Sequence, residues 1–298
     1  MLRLPLNPNG RHNSDVVKRY YTVRDVFLRD SEQWIIDFDE LDEDDASLYE
    51  APFHFLRNLQ GDLADRERTK SRKKWWKFRR SGIEIRTLIK NKNRILATGL
   101  VTKHRIFRWI ECPAIPDTRV IIIDSESDVM FGILSGRIHN LWTLANCQFH
   151  GVGNDPIYTP GDCFDTFPFP EDLTPNIPAV AYEVDPRAIA IAKSAARLNE
   201  LRENWLNPAD LVRREPEVVP GYPDRILPVN PEAERELKKR TLTNLYNARP
   251  TWLANAHKAL DEAVAAAYGW PADLPDDEVL ARLFTLNQER AAAQAKKK

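Results

Sequence analysis

The chain has 298 residues, enough for two ordinary domains that each bury an apolar core. Its formal net charge of -1 shows no global excess of either sign that would advertise nucleic acid or a membrane surface. The three cysteines, Cys112, Cys147 and Cys163, are odd in number and too far apart for a CxxC pair, which excludes a disulfide framework and a zinc ribbon. No apolar run approaches the roughly 20 residues that span a bilayer, and residues 1–11 carry no signal-peptide core, so the chain reads as a reduced, cytoplasmic protein.

Taken in chain order, the first feature is a reversal of charge. Acidic residues dominate from 15 to 65, with Asp37, Asp39, Glu40, Asp42, Glu43, Asp44 and Asp45 in one short run. Residues 66–108 then hold sixteen Lys or Arg against two acidic residues, a net of +14. Short β-branched or aromatic runs predict strands at 33–38 (QWIIDF), 94–101 (RILATGLV), 105–110 (RIFRWI) and 119–124 (RVIIID). Asp128 is expected to cap a helix in which Phe131, Leu134, Ile138, Leu141 and Trp142 recur at helical spacing. Prolines crowd residues 151–178, forbid regular ladders there and predict the main boundary near residue 172.

Beyond that point the signals are helical. Asp185-Pro186 is an N-cap followed by proline at the first helical position, opening a helix to about residue 204. Asn230-Pro231 repeats the signal before a helix over 233–247. Leu253, Ala256, Leu260, Val264 and Ala267 form one apolar stripe, closed by Gly269 and Pro271, and Val279, Leu280, Leu283, Phe284 and Leu286 give a last short helix. The expected fold class is α+β, with a mixed α/β domain over 1–172 and a helical domain over 173–298.

The basic segment carries the strongest chemical signal. Arg72, Lys73, Lys74, Lys77, Arg79 and Arg80 interleave with Trp75, Trp76 and Phe78, and Lys103, His104, Arg105 and Arg108 extend the series. Cations at this density neutralise phosphates and release counterions, and arginine can also read guanine edges. The plain alternative is a solvated face whose aromatics pack the core, and Trp75 and Trp76 are expected inside. Signals for catalysis are thin. There is no P-loop, no GxGxxG and no histidine spacing that suits a metal. Asp224, Glu236 and Lys238 match the PD…ExK spacing of Mg²⁺-dependent nucleases. Glu236 and Lys238 nevertheless fall two residues apart where a helix is expected, so they cannot share a face.

An ordered set of motifs adds a family resemblance. Leu6-Asn7-Pro8-Asn9-Gly10, Trp34-Ile35-Ile36-Asp37-Phe38, Tyr49-Glu50-Ala51-Pro52-Phe53, Trp75-Trp76 and Lys103-His104-Arg105 come first. Phe131-Gly132-Ile133-Leu134-Ser135, Phe164-Asp165-Thr166-Phe167-Pro168-Phe169-Pro170, Leu245-Tyr246-Asn247, Pro250-Thr251-Trp252-Leu253 and Ala267-Tyr268-Gly269-Trp270 follow. In this order they resemble the target-recognition and C-terminal regions of the MmeI-like (type IIL) restriction–modification methyltransferases, over almost the whole chain.

The resemblance implies S-adenosylmethionine-dependent N6 methylation of adenine at a specific DNA site. It also implies a Gly-rich loop for the methyl donor and an (N/D/S)PP(Y/F) motif for the flipped adenine. Neither string occurs here, and the nearest, Asp155-Pro156-Ile157-Tyr158 and Asn7-Pro8-Asn9-Gly10, lack the paired prolines. The expectation is therefore a recognition part for double-stranded DNA without a catalytic, cofactor or metal site. It would act with a catalytic core encoded upstream or on a separate chain, which would use S-adenosylmethionine. A metal-dependent nuclease and a non-functional gene fragment are the alternatives.

Overall fold

The computed structural model describes residues 1–38, 40–64, 74–78, 82–152 and 155–295 of an α+β fold. The chain opens with β1 (Val17–Tyr21), α1 (Val23–Phe27), β2 (Trp34–Ile36), α2 (Glu43–Ser47), α3 (Glu50–Ala64) and α4 (Ile83–Ile89). Next come β3 (Arg94–Gly99), β4 (Arg108–Glu111), β5 (Ile115–Pro116), β6 (Val120–Ile123), α5 (Asp128–Ser135) and α6 (Arg137–Asn146). The hairpin of β7 (Gln148–His150) and β8 (Asp155–Ile157) leads to α7 (Pro160–Cys163) and the long α8 (Pro186–Leu206). A second hairpin, β9 (Val212–Glu215) with β10 (Arg225–Pro228), precedes α9 (Pro231–Lys239), α10 (Leu242–Ala248), α11 (Thr251–Ala267) and α12 (Asp276–Ala295).

β3 is the centre of the main sheet. It runs antiparallel to β4 and β6, so that Leu96 stands opposite Trp109 on one side and Ile123 on the other. Its side chains alternate between two interiors, as a period of two requires. Ile95 and Ala97 join Val26, Ile89 and Ile110, whereas Leu96 faces the large core. That unbroken apolar run is what a strand covered on both faces needs. A second small sheet places β1 between antiparallel β2 and parallel β5.

The large core does not stop at residue 172. It joins Leu96, Ile106 and Phe107 to Phe131, Ile133 and Leu134 of α5, Ile191 and Leu198 of α8, Leu260 and Val264 of α11, and Leu283 of α12. The expected boundary therefore crosses one continuous interior, because proline interrupts ladders and helices without interrupting side-chain packing. At the tightest point a Cβ added to Gly132 would stand 2.6 Å from Ile191 Cγ2 and 3.2 Å from Leu260 Cδ1. Among the described residues no helix is long and apolar enough to cross a membrane.

Local signals placed several helices well. The Asp185 carboxylate accepts from the Arg187 amide at 2.8 Å, and the Asn230 amide oxygen accepts from the Ala233 amide at 2.7 Å. Three expectations need correction. Ser127 caps α5, accepting from the Val129 amide, and Asp128 lies inside the first turn. The helix expected through Trp142 breaks at Gly136, where the Arg137 amide donates to Asp261 Oδ1 of α11 at 2.7 Å. The helix expected over 233–247 likewise breaks before Thr241, whose hydroxyl caps α10 by accepting from the Asn244 amide.

The hairpin β9–β10 was not expected at all within the helical half, and it ties the two ends of the chain together. Arg19 of β1, only 4% exposed, lies 3.2 Å from Asp30 and 3.5 Å from Glu217 in the loop between the two strands. Arg225 pairs with Glu32 at 2.9 Å, and the Tyr222 ring packs 5.1 Å from that of Trp34.

Candidate nucleic-acid interface

Of the ten expected DNA-contact residues, Arg72, Lys73, Arg79 and Arg80 lie outside the described residues. Lys74 is exposed and Lys77 half-buried, on either side of two tryptophans that are indeed packed. Trp76 is buried and donates to the Leu41 carbonyl at 3.1 Å. Trp75 donates to Glu43 at 3.0 Å, with its ring centroid 5.0 Å from that of Phe53. Arg86 forms a bidentate pair with Asp37, both bonds 2.8 Å. Part of the basic segment is thus packed against the acidic run, an ordinary answer to the charge reversal.

Arg105 and Arg108 are half-buried, and both guanidinium groups are bonded within the fold, which leaves little of either for a phosphate. Arg105 donates to Thr98 Oγ1 at 3.1 Å, to the Gly99 carbonyl and to the Pro156 carbonyl at 3.2 Å. Its guanidinium lies 4.8 Å from the Tyr158 ring centroid, and burial pushes its pKa down to about 10. Arg108 clamps Glu203 of α8 through bonds of 3.0 and 3.2 Å and also donates to the carbonyls of Asp25 and Leu28. Both sit beside strands, where sequence cannot tell an outward cation from one turned into the interior.

Lys103 and His104 fare differently. The loop after β3 carries them to the mouth of a cleft of about 490 Å³ between α6, α10 and α11. His104 Nε2 meets Asn247 Oδ1 at 2.8 Å, which fastens the loop to the end of α10. Two residues on, Arg249 ends α10 in the left-handed conformation, with φ 40° and ψ 60°. The cleft lining holds Lys103, Arg105, Arg137 and Arg249 against Asp261 and Asp276, four cations to two carboxylates. Arg137 occupies both acids, its amide bonded to Asp261 and its guanidinium to Asp276. Lys103 and Arg249 have no carboxylate partner among the described residues.

Behind the lining lies a further cation. Arg202 is 1% exposed and donates to the Phe107 carbonyl at 2.6 Å, with its guanidinium 5.9 Å from the Tyr246 ring centroid. Tyr246 in turn bonds His257 Nε2 at 2.9 Å. Burial lowers the His257 pKa to about 4, and the charges of Arg202 and Arg249 add to the effect. The cleft is therefore an electropositive place suited to an anion. Sequence reasoning missed Arg249. The adjacent motifs Leu245-Tyr246-Asn247 and Pro250-Thr251-Trp252 marked the spot, but nothing local showed that it meets the loop at 103–104.

The nuclease set does not converge. Glu236 sits on α9 between Lys239 and Arg240, at 3.5 and 3.7 Å, and Lys238 pairs with Glu234 at 2.7 Å. Asp224 lies apart, in the turn before β10. Among the described residues no group of three or more His, Cys, Asp or Glu side chains could hold a metal ion.

No family model matches the chain, and no curated protein matches it. Among solved structures it is similar to the type IIL restriction-modification enzyme MmeI in complex with DNA, at a TM-score of 0.59 and 17% identity. The superposition covers 94% of this chain and 32% of that enzyme, so the chain spans about a third of the length of the protein it matches and shares the fold of that part.

Proposed function

We propose that the chain is the sequence-specific DNA recognition part of a site-specific adenine-N6 DNA methyltransferase of the restriction–modification type. The observation that carries this reading is its fold, shared over 94% of its length with part of an enzyme solved on DNA. The electropositive cleft and the cation-rich segment at 66–108 support it, since phosphate neutralisation supplies much of the affinity of DNA-binding proteins. Methyl transfer belongs to a catalytic core outside these 298 residues, and S-adenosylmethionine is that core's cofactor.

The test is selection from a randomised duplex pool with the purified chain, followed by binding to the enriched and scrambled duplexes over a salt series. One short site should emerge, with log affinity falling against log salt at a slope of about -4 to -7 if five to eight phosphates are engaged. Binding that is absent, or indifferent to salt, overturns the reading.

A further inference from the structure

We infer that the cleft between the Lys103–His104 loop and the end of α10 is a clamp for a backbone phosphodiester of duplex DNA, with Lys103 and Arg249 as its two cations. The inference rests on the DNA reading above and gives the C-terminal helices a direct part in binding.

Three independent observations converge on the cleft. The first is charge. The Arg137 guanidinium pairs with Asp276 and its backbone amide donates to Asp261, while Lys103 and Arg249 are exposed and make no salt bridge among the described residues. The buried Arg202 adds positive charge from behind and makes no salt bridge among the described residues. An anion entering here meets cations that need give up no salt bridge among the described residues to receive it.

The second observation is backbone conformation. Arg249 ends its helix at φ 40°, a region that suits glycine and strains any residue bearing a Cβ. Glycine would close α10 without strain, yet the position carries a long cation whose side chain makes no hydrogen bond or ion pair among the described residues. Strain retained by a residue with no structural partner points to a role outside the fold.

The third is placement. The His104 ring bonded to Asn247 at 2.8 Å holds the loop against α10, which fixes Lys103 and Arg249 on one rim. Two cations on opposite elements, with a hydrogen bond joining the segments that carry them, form a clamp. A solvated face has no need of such a tie.

The experiment uses the full chain and a mixed-sequence duplex three helical turns long, with affinity measured by fluorescence anisotropy over a salt series. Arg249→Gly should bind about three- to tenfold more weakly at moderate salt and flatten the salt slope by about one unit, and Lys103→Ala should do the same. Thermal melting separates this from damage, because Arg249→Gly should melt at the wild-type temperature or above it. Arg249→Lys should keep the slope. Inorganic phosphate in excess over the duplex should not displace it; if phosphate alone competes at equal concentration, the site is a free-anion site and the clamp is wrong. Wild-type binding matched by both variants overturns the clamp and leaves the DNA reading standing. A wild-type chain with no salt-dependent binding overturns both.

Discussion

Arg108 of β4 and Glu203 of α8 face each other through two hydrogen bonds, 3.0 and 3.2 Å long, across 95 residues of sequence. The guanidinium is mostly buried and also serves two carbonyls, so removing it strands a carboxylate and two acceptors together. Arg108→Ala should cost about 2–4 kcal/mol in urea denaturation, the lower part of the range for a broken buried pair because Glu203 is partly solvated. Arg105→Ala should also lower stability. Neither variant should change the salt slope of DNA binding in the protein that remains folded.

The fold should weaken in mild acid. His139 is fully buried, and burial lowers its pKa to about 3. Its Nδ1–H donates to the Leu134 carbonyl at 2.9 Å, which leaves Nε2 to accept from the Tyr158 hydroxyl at 3.2 Å. The native state holds this ring neutral, whereas the unfolded chain protonates it near pH 6.5. Its contribution is therefore complete above pH 6.5 and is lost as pH falls from there towards 3. By pH 5 the loss should reach about 2 kcal/mol, and His139→Gln should reduce the pH slope of unfolding by about one proton. His257, lowered to about 4, should act in the same direction. A melting temperature constant from pH 7 to pH 5 would contradict this.

Gly132 of α5 faces both α8 and α11 at close range. A methyl group there would press on Ile191 at 2.6 Å and Ala195 at 3.1 Å, inside a helix where glycine has no conformational purpose. Gly132→Ala should raise helix propensity yet lower net stability by about 1–3 kcal/mol, as overpacking outweighs propensity. Calorimetry on the single variant decides the sign.

The cations at 73–77 test the other end of the basic segment. Replacing Lys73, Lys74 and Lys77 together by alanine should weaken binding to every duplex alike and flatten the salt slope by about one unit for each phosphate lost. If the lysines serve only the acidic run at 37–45, affinity will hold and the melting temperature will drop slightly.

Much of the secondary structure was legible because its causes are local. An Asp or Asn before Pro starts a helix within two or three residues, and β3 announced itself by an unbroken apolar run between polar ends. The breaks at Gly136 and Thr241 were not legible. The first depends on Asp261, 124 residues away, reaching the Arg137 amide. The hairpin β9–β10 was hidden for the same reason, since its strands are only four residues long and are anchored through Arg19 and Glu32. At the site, sequence marked Lys103 and His104 but also marked Arg105 and Arg108, because charge alone does not reveal which way a side chain turns. Arg249 became visible only when the fold brought residues 103 and 249 to one cleft.

The shared interior also limits how such a protein can be divided. Every residue from Val129 to Leu134 in α5 is buried, and much of its cover comes from α8 and α11, downstream of residue 172. A piece ending at 172 would keep the sheet and α6 against that helix but lose the contacts from α8 and α11, so the first half is expected to be unstable alone. Solvent-facing positions such as Lys103 and Arg249 can vary without the core noticing.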